Sequence, residues 1–141
     1  MLRNILAVIA GGLTNAVIVL LVETLNSRAF PLPAGTDHQN PDQLAAALHD
    51  APAAMFLVVL GGIILASFLS GLVAARIATQ PRRVALIVGG LLLVTNALNA
   101  FSFWHPLWFR VAVLVLPLPL ALLGGRVGER RTLPAQGPAN K

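Results

Sequence analysis

The chain has 141 residues, of which 57% are hydrophobic and 11% charged, and its mean hydropathy is +0.80. That balance excludes an ordinary soluble domain and points to an integral membrane protein. The formal charge of +5 raises the question of nucleic acid, but the Arg residues stand in short blocks at the ends of apolar runs, where orientation in a bilayer already explains them, so nucleic acid is excluded as a partner. The absence of Cys excludes a disulfide framework, a thiolate metal site and thiol catalysis.

A span needs roughly 20 apolar residues to cross about 30 Å of hydrocarbon, and four such runs fill the chain. The fold class expected is therefore all-α and membrane-embedded: four transmembrane helices in an antiparallel bundle, with one short helix in an outer loop. The spans are read at residues 4–25, 54–79, 84–103 and 107–127, making residues 1–127 one domain. The first run is longer than the apolar region of a signal peptide. Its only cleavage-like pattern, Ser27-Arg28-Ala29, carries Arg in the middle, so it is read as a retained span.

Residues 26–53 form the one long connection. Pro31, Pro33 and Gly35 keep its first half extended or turning. Asn40-Pro41-Asp42-Gln43 then reads as a helix start, with Asn as N-cap, Pro at the first helical position and Gln placed to reach back. A helix of about ten residues is expected, resting Leu44, Ala45 and Leu48 on the bundle or the membrane surface until Pro52 ends it.

The second span carries Gly62, Ala66, Ser70, Ala74 and Ala78 at every fourth position, a face small enough for another helix backbone to approach, with Ser67, Gly71 and Ala75 as a parallel stripe. Gln80-Pro81-Arg82-Arg83 is read as a tight turn that makes the second and third spans antiparallel neighbours. The fourth span contains Pro117 and Pro119, which predict a kink or local unwinding. Residues 128–141 read as a flexible tail. Eight of the ten Lys and Arg residues fall on the side of the termini, against Arg28 and Arg110 opposite, which predicts cytoplasmic termini.

Within the spans, Gly11-Gly12 followed by Thr14-Asn15-Ala16 is echoed by Gly89-Gly90 followed by Thr95-Asn96-Ala97. Duplication of a hairpin leaves such a pattern; so does chance in segments this short. At about 1.5 Å per residue, Asn15 and Asn96 arrive near the same mid-membrane depth, so Asn15, Asn96 and Asn99 form a candidate polar core, as interhelical glue or as the wall of a path. No ionisable side chain reaches mid-depth, which argues against a proton-coupled carrier. Near the outer edge, Glu23 and Arg110 have similar depths, and with His105 they make a candidate charge cluster. Asp37, His38, Asp42, His49 and Asp50 are residue types that ligate metals, but their spacing matches no ligand pattern, and no metal or other cofactor is assigned.

Glu23, the Pro31-x-Pro33-Ala34-Gly35-x-Asp37 segment, Asn40-Pro41-Asp42-x-Leu44, and His105-Pro106-Leu107-Trp108-Phe109 with the later Gly124-Gly125-Arg126 together resemble an uncharacterised family of small bacterial four-span inner-membrane proteins. The resemblance spans nearly the whole chain. It implies a multi-pass protein of the bacterial inner membrane with both termini in the cytoplasm, and it carries over no functional residue. Two functional readings follow. The first is a non-enzymatic protein acting by helix packing, as a homo-oligomer or an accessory subunit of a larger membrane complex. The second is a small oligomeric transporter or channel with an Asn-lined path.

Overall fold

The computed structural model describes residues 1–37 and 39–130, the last without its side chain. Six α-helices follow one another: α1 (Leu2–Ala29), α2 (Pro41–His49), α3 (Ala53–Ile77), α4 (Pro81–Ser102), α5 (Leu107–Val115) and α6 (Pro117–Arg130). Four helical stretches are long and apolar enough to cross a membrane: α1, α3, α4, and α5 with α6 taken together. The protein is thus an all-α, multi-pass membrane protein whose outward side chains meet lipid. Leu13, Val17, Leu20 and Leu21 of α1 and Leu91, Val94 and Leu98 of α4 are among those left uncovered by the chain.

Helix α3 is the hub. It packs against α1, α4 and α6, whereas α1 and α6 do not touch. Its two stripes of small residues explain this. All eight residues are buried, and the stripes serve different neighbours. The first faces α1: a Cβ added at Gly62 would come within 2.6 Å of Val22, and one added at Gly11 within 3.0 Å of the Ser70 carbonyl oxygen and 3.2 Å of Ala74. The second faces α6, where a Cβ at Gly71 would strike the Ala121 carbonyl and one at Gly124 the Phe68 carbonyl. Small side chains let backbones meet here because lipid provides no hydrophobic drive for helix association, leaving close packing as the main attraction.

The ends near the termini are tied by polar contacts. Asn4 Oδ1 accepts from both the N–H and the hydroxyl of Thr79, each at 2.8 Å, and Arg3 Nε donates to the Ile77 carbonyl at 2.6 Å. These contacts satisfy groups left open at the C-terminus of α3 and just beyond it. Arg82 and Glu129 pair at 3.4 Å between α4 and α6.

Several boundaries differ from the sequence reading. Helix α1 runs one turn beyond residue 25, so Asn26 belongs to a helix. Pro81 is the first residue of α4 and the turn is Ala78-Thr79-Gln80, because proline lacks the N–H that a first helical residue would leave unpaired. The same logic resolves the fourth span. It breaks after Leu116, and Pro117 and Pro119 fall in the first turn of α6, where missing N–H groups cost little. Helix α6 continues through buried Gly128 to Arg130, so the part of the expected tail at residues 128–130 is helical, and residues 131–141 lie outside the described residues.

In the long connection, Asn40 Oδ1 accepts from Asp42 N and Gln43 N at 3.1 and 3.3 Å, as an N-cap should. Gln43 does reach back, but its Oε1 accepts from Asp37 N at 3.0 Å and so fastens the preceding turn. Helix α2 ends at His49, and Pro52 instead caps the start of α3. An aromatic cluster anchors this end: Phe56, 4% exposed, lies within ring-contact distance of Trp104, His105, Trp108 and Phe109, and His49 of α2 covers Trp104 at 4.9 Å.

Candidate functional site

On α1, Asn15, Val19, Glu23 and Asn26 recur at spacings of four, four and three, which puts them on one helical face. On α4, Asn96 and Asn99 share a face, and Phe103 follows just beyond the helix end. These faces do not close on each other; they border a crevice. Its inner part, about 210 Å³, is lined by Asn15, Val19 and Glu23 of α1, Thr95, Asn96 and Asn99 of α4, Val59 and Ile63 of α3, and Phe109 and Val113 of α5. The outer part, about 540 Å³, shares Glu23, Val59 and Asn99 with the inner part. It adds Asn26, Ser27, Met55, Phe103 and His105, under a roof made by residues 30–36 with Leu44 and Leu48 of α2. Glu23, Val59 and Asn99 border both parts, so the two cavities adjoin along these side chains.

Asn15 and Asn96 thus reach the same crevice but do not hydrogen-bond to each other. Asn96 Nδ2 donates to the Leu92 carbonyl of its own helix at 2.8 Å, and among the described residues neither Asn15 nor Asn99 has a side-chain hydrogen bond. The amides therefore border a space and do not lock helices together. Asn26 is more unusual. It is 5% exposed, and its Oδ1 is buried without a partner. A polar group left so costs about 1–3 kcal/mol.

The expected outer charge cluster is divided. Glu23 and His105 both line the outer crevice, but Arg110 lines a separate cavity of about 300 Å³ with Asp42, Ser102 and Trp104. Among the described residues neither Glu23 nor Arg110 has an ion pair. Arg110 follows Phe109 in α5, and one residue turns a helix by about 100°. With Phe109 in the crevice wall, Arg110 is carried away from it. Its Nε is buried without a hydrogen-bond partner.

His105 is held in the crevice wall by stacking on Phe109, with ring centres 5.0 Å apart, and by a 3.0 Å hydrogen bond between Nδ1 and the Phe103 carbonyl. Burial is the main influence on its pKa and lowers it from the ordinary 6.5; the Phe103 bond opposes this and the Arg110 charge reinforces it. Burial therefore favours the uncharged ring. Glu23 is then the one carboxylate in the crevice wall, and no Lys or Arg is among the described residues lining it.

The loop residues with metal-binding side chains do not gather. No group of three or more His, Asp or Glu side chains comes together among the described residues, and His38 lies outside them.

Two sets of residues escaped the sequence reading. A first span ending at residue 25 leaves Asn26 in the loop, although its spacing of three from Glu23 puts it on the same face once the helix continues one turn. The Ala121, Gly124 and Gly128 face of α6 is the counterpart of the second stripe on α3, while Gly125 beside it approaches Ala85 of α4. Its spacings of three and four are those of a small-residue packing face, obscured by the charged residues that follow Gly125. No protein-family model, curated protein or solved structure matches this chain.

Proposed function

We propose that this protein is a small non-enzymatic solute-binding membrane protein, carrier-like or channel-like in use, whose ligand enters the crevice between α1 and α4 from the loop end. The carrying observation is that Asn15, Asn96, Asn99, Glu23 and Asn26 line two adjoining cavities. Side chains of this kind are expensive in a membrane, and they are retained where they serve a water-filled or ligand-filled cavity. The rival reading, association with other subunits through the small-residue ladder, has less support, because both stripes of α3 are already covered by α1 and α6 of the same chain. Packing serves as the frame of the crevice. The bacterial inner membrane and cytoplasmic termini belong to the same proposal, and they rest on the family resemblance and on the distribution of Lys and Arg.

The chain contains no Cys, so single-cysteine labelling is clean. In oriented vesicles, a membrane-impermeant thiol reagent applied from the loop side should modify Val59→Cys, at the junction of the two parts of the crevice, and leave lipid-facing Leu20→Cys unmodified. Reaction at Val59→Cys only with a membrane-permeant reagent would mean the crevice is sealed from water, and the reading fails.

A further inference from the structure

Resting on the solute-binding reading, we infer that the ligand class is an organic ammonium ion with an apolar body, its N–H groups held between Glu23 and Asn26 and its body in the outer crevice. Three independent features of the wall converge on this.

The first is charge. Glu23 lines both parts of the crevice, and the described residues around it supply no cation. Neither Arg28, five residues along α1, nor Arg110, in the wall of another cavity, lines the crevice, and burial of His105 favours its uncharged form. A carboxylate without a partner beside an apolar cavity favours a cationic occupant and disfavours an anionic one.

The second feature is the unpartnered Asn26. Asn26 lines the outer crevice while its Oδ1 is buried without a donor among the described residues, so turning that oxygen toward the crevice gives up no hydrogen bond and lets it accept from an ammonium N–H. Asn26 lies three residues after Glu23, so one turn of α1 presents both to the same ligand head.

The third is the rest of the wall. Phe30, Leu32, Leu44, Leu48, Met55 and Phe103 line the outer crevice, so the ligand meets mostly apolar surface there. Aromatic rings also attract cations across their faces. A small hydrated metal ion would find no use for that surface, whereas an amine with a ring or short chain attached fills it.

The test extends the labelling assay with three probes that share one body: 2-phenylethylammonium, 2-phenylethanol and phenylacetate. The first should slow modification of Val59→Cys by the aqueous reagent at the lowest concentration, the alcohol only at higher concentration, and phenylacetate not at all. In Glu23→Gln, Val59→Cys should remain reactive, showing the crevice intact, while the concentration of 2-phenylethylammonium needed for protection rises about tenfold to a hundredfold, the range for losing a hydrogen bond to a charged group. Asn26→Leu should raise it by a smaller factor. Equal protection by the alcohol and the ammonium ion, or protection by the ammonium ion unchanged in Glu23→Gln, overturns the ligand class while water access to Val59→Cys still upholds the solute-binding reading. Absence of aqueous labelling in the parent variant overturns both.

Discussion

The two ends of the bundle are built on opposite plans. Toward the termini, Ala7 of α1, Ala74 of α3 with Ala78 just beyond its end, and Val84, Val88 and Leu92 of α4 form one buried cluster, so three helices share a core. Toward the loop, the buried cluster is Phe56, Ala100, Phe109 and Val113, covered by Leu48, Ala51 and Trp104, and α1 contributes nothing to it. Helix α1 therefore joins the core at one end and borders a crevice at the other. The cause is side-chain size and polarity along a single helix. Ala7 and Gly11 admit neighbours, whereas the amides and carboxylate of Asn15, Glu23 and Asn26 have poor company in an apolar core and hold a space beside them.

The sharpest way to break this comparison is to crowd the end that depends on closeness. Gly71→Ala and Gly124→Ala each place a methyl group against a backbone carbonyl that cannot rotate away. Each should destabilise by about 1–3 kcal/mol or more, read as a lower unfolding temperature in detergent. Gly12→Ala and Gly90→Ala, the second members of their Gly-Gly pairs, meet nothing within 4 Å and should be neutral or gain up to about 1 kcal/mol from helix propensity. Equal behaviour of the two sets would show that close approach is not what joins α3 to α6.

At the other end the sign should reverse. Asn26→Leu replaces a buried, unpartnered amide with an apolar side chain of similar size, and should stabilise the protein by about 1–2 kcal/mol. Glycine crowding and removal of this amide would then move the same thermal midpoint in opposite directions. A loss of stability in Asn26→Leu would mean that the amide already has a structural partner and that the crevice is not the reason it is there.

A smaller effect is expected at His105. Because its folded pKa lies below the ordinary 6.5, the unfolded chain binds the proton more readily, and stability falls as pH drops below about 6.5 until the lowered folded value is passed. His105→Gln should remove this contribution, seen as a flatter dependence of the unfolding temperature between about pH 7.5 and pH 5. An unchanged slope would place the pH dependence in other groups. Smallest of all should be the coupling between Glu23 and Arg110. With these residues in different cavity walls, the effects of Glu23→Gln and Arg110→Gln should add within about 0.5 kcal/mol, and a larger coupling energy in that cycle would contradict their separation.

Much of the architecture was legible without coordinates, because a bilayer leaves the chain few choices. Long apolar runs must become helices, since a backbone polar group in hydrocarbon finds partners only within its own helix. Prolines and Asn40 mark helix starts for reasons local to a few residues: the fourth span is interrupted at its prolines as expected, with Pro117 opening α6, and only Pro81 differs, beginning α4 where the sequence suggests a turn. Small residues at every fourth position announced a packing face. What covered that face was not legible, because periodicity describes one helix and says nothing of its neighbour.

The candidate site illustrates the same limit. Asn15, Asn96, Asn99 and Glu23 stood out in the sequence as polar residues in apolar runs, and depth alone matched Asn15 with Asn96 and Glu23 with Arg110. Depth is a coordinate along the membrane normal, which residue counting supplies. Rotation about each helix axis is set by contacts made elsewhere on the helix, and it decides whether two residues at one depth meet. Thus the seating of Gly11 against Ser70 and Ala74 accompanies an α1 whose Asn15, Glu23 and Asn26 border the crevice, and the packing of Phe109 against Phe56 accompanies an Arg110 turned away from it. The sequence by itself determined the number of spans, their boundaries to within about a turn, and the depth of each polar group, all local consequences of hydrophobicity and backbone geometry. Only the tertiary structure decided that the amides would line a shared space, that Glu23 would have no basic partner among the described residues, and that Asn26 would be buried beside it, because those depend on how four helices rotate to bring their smallest side chains together.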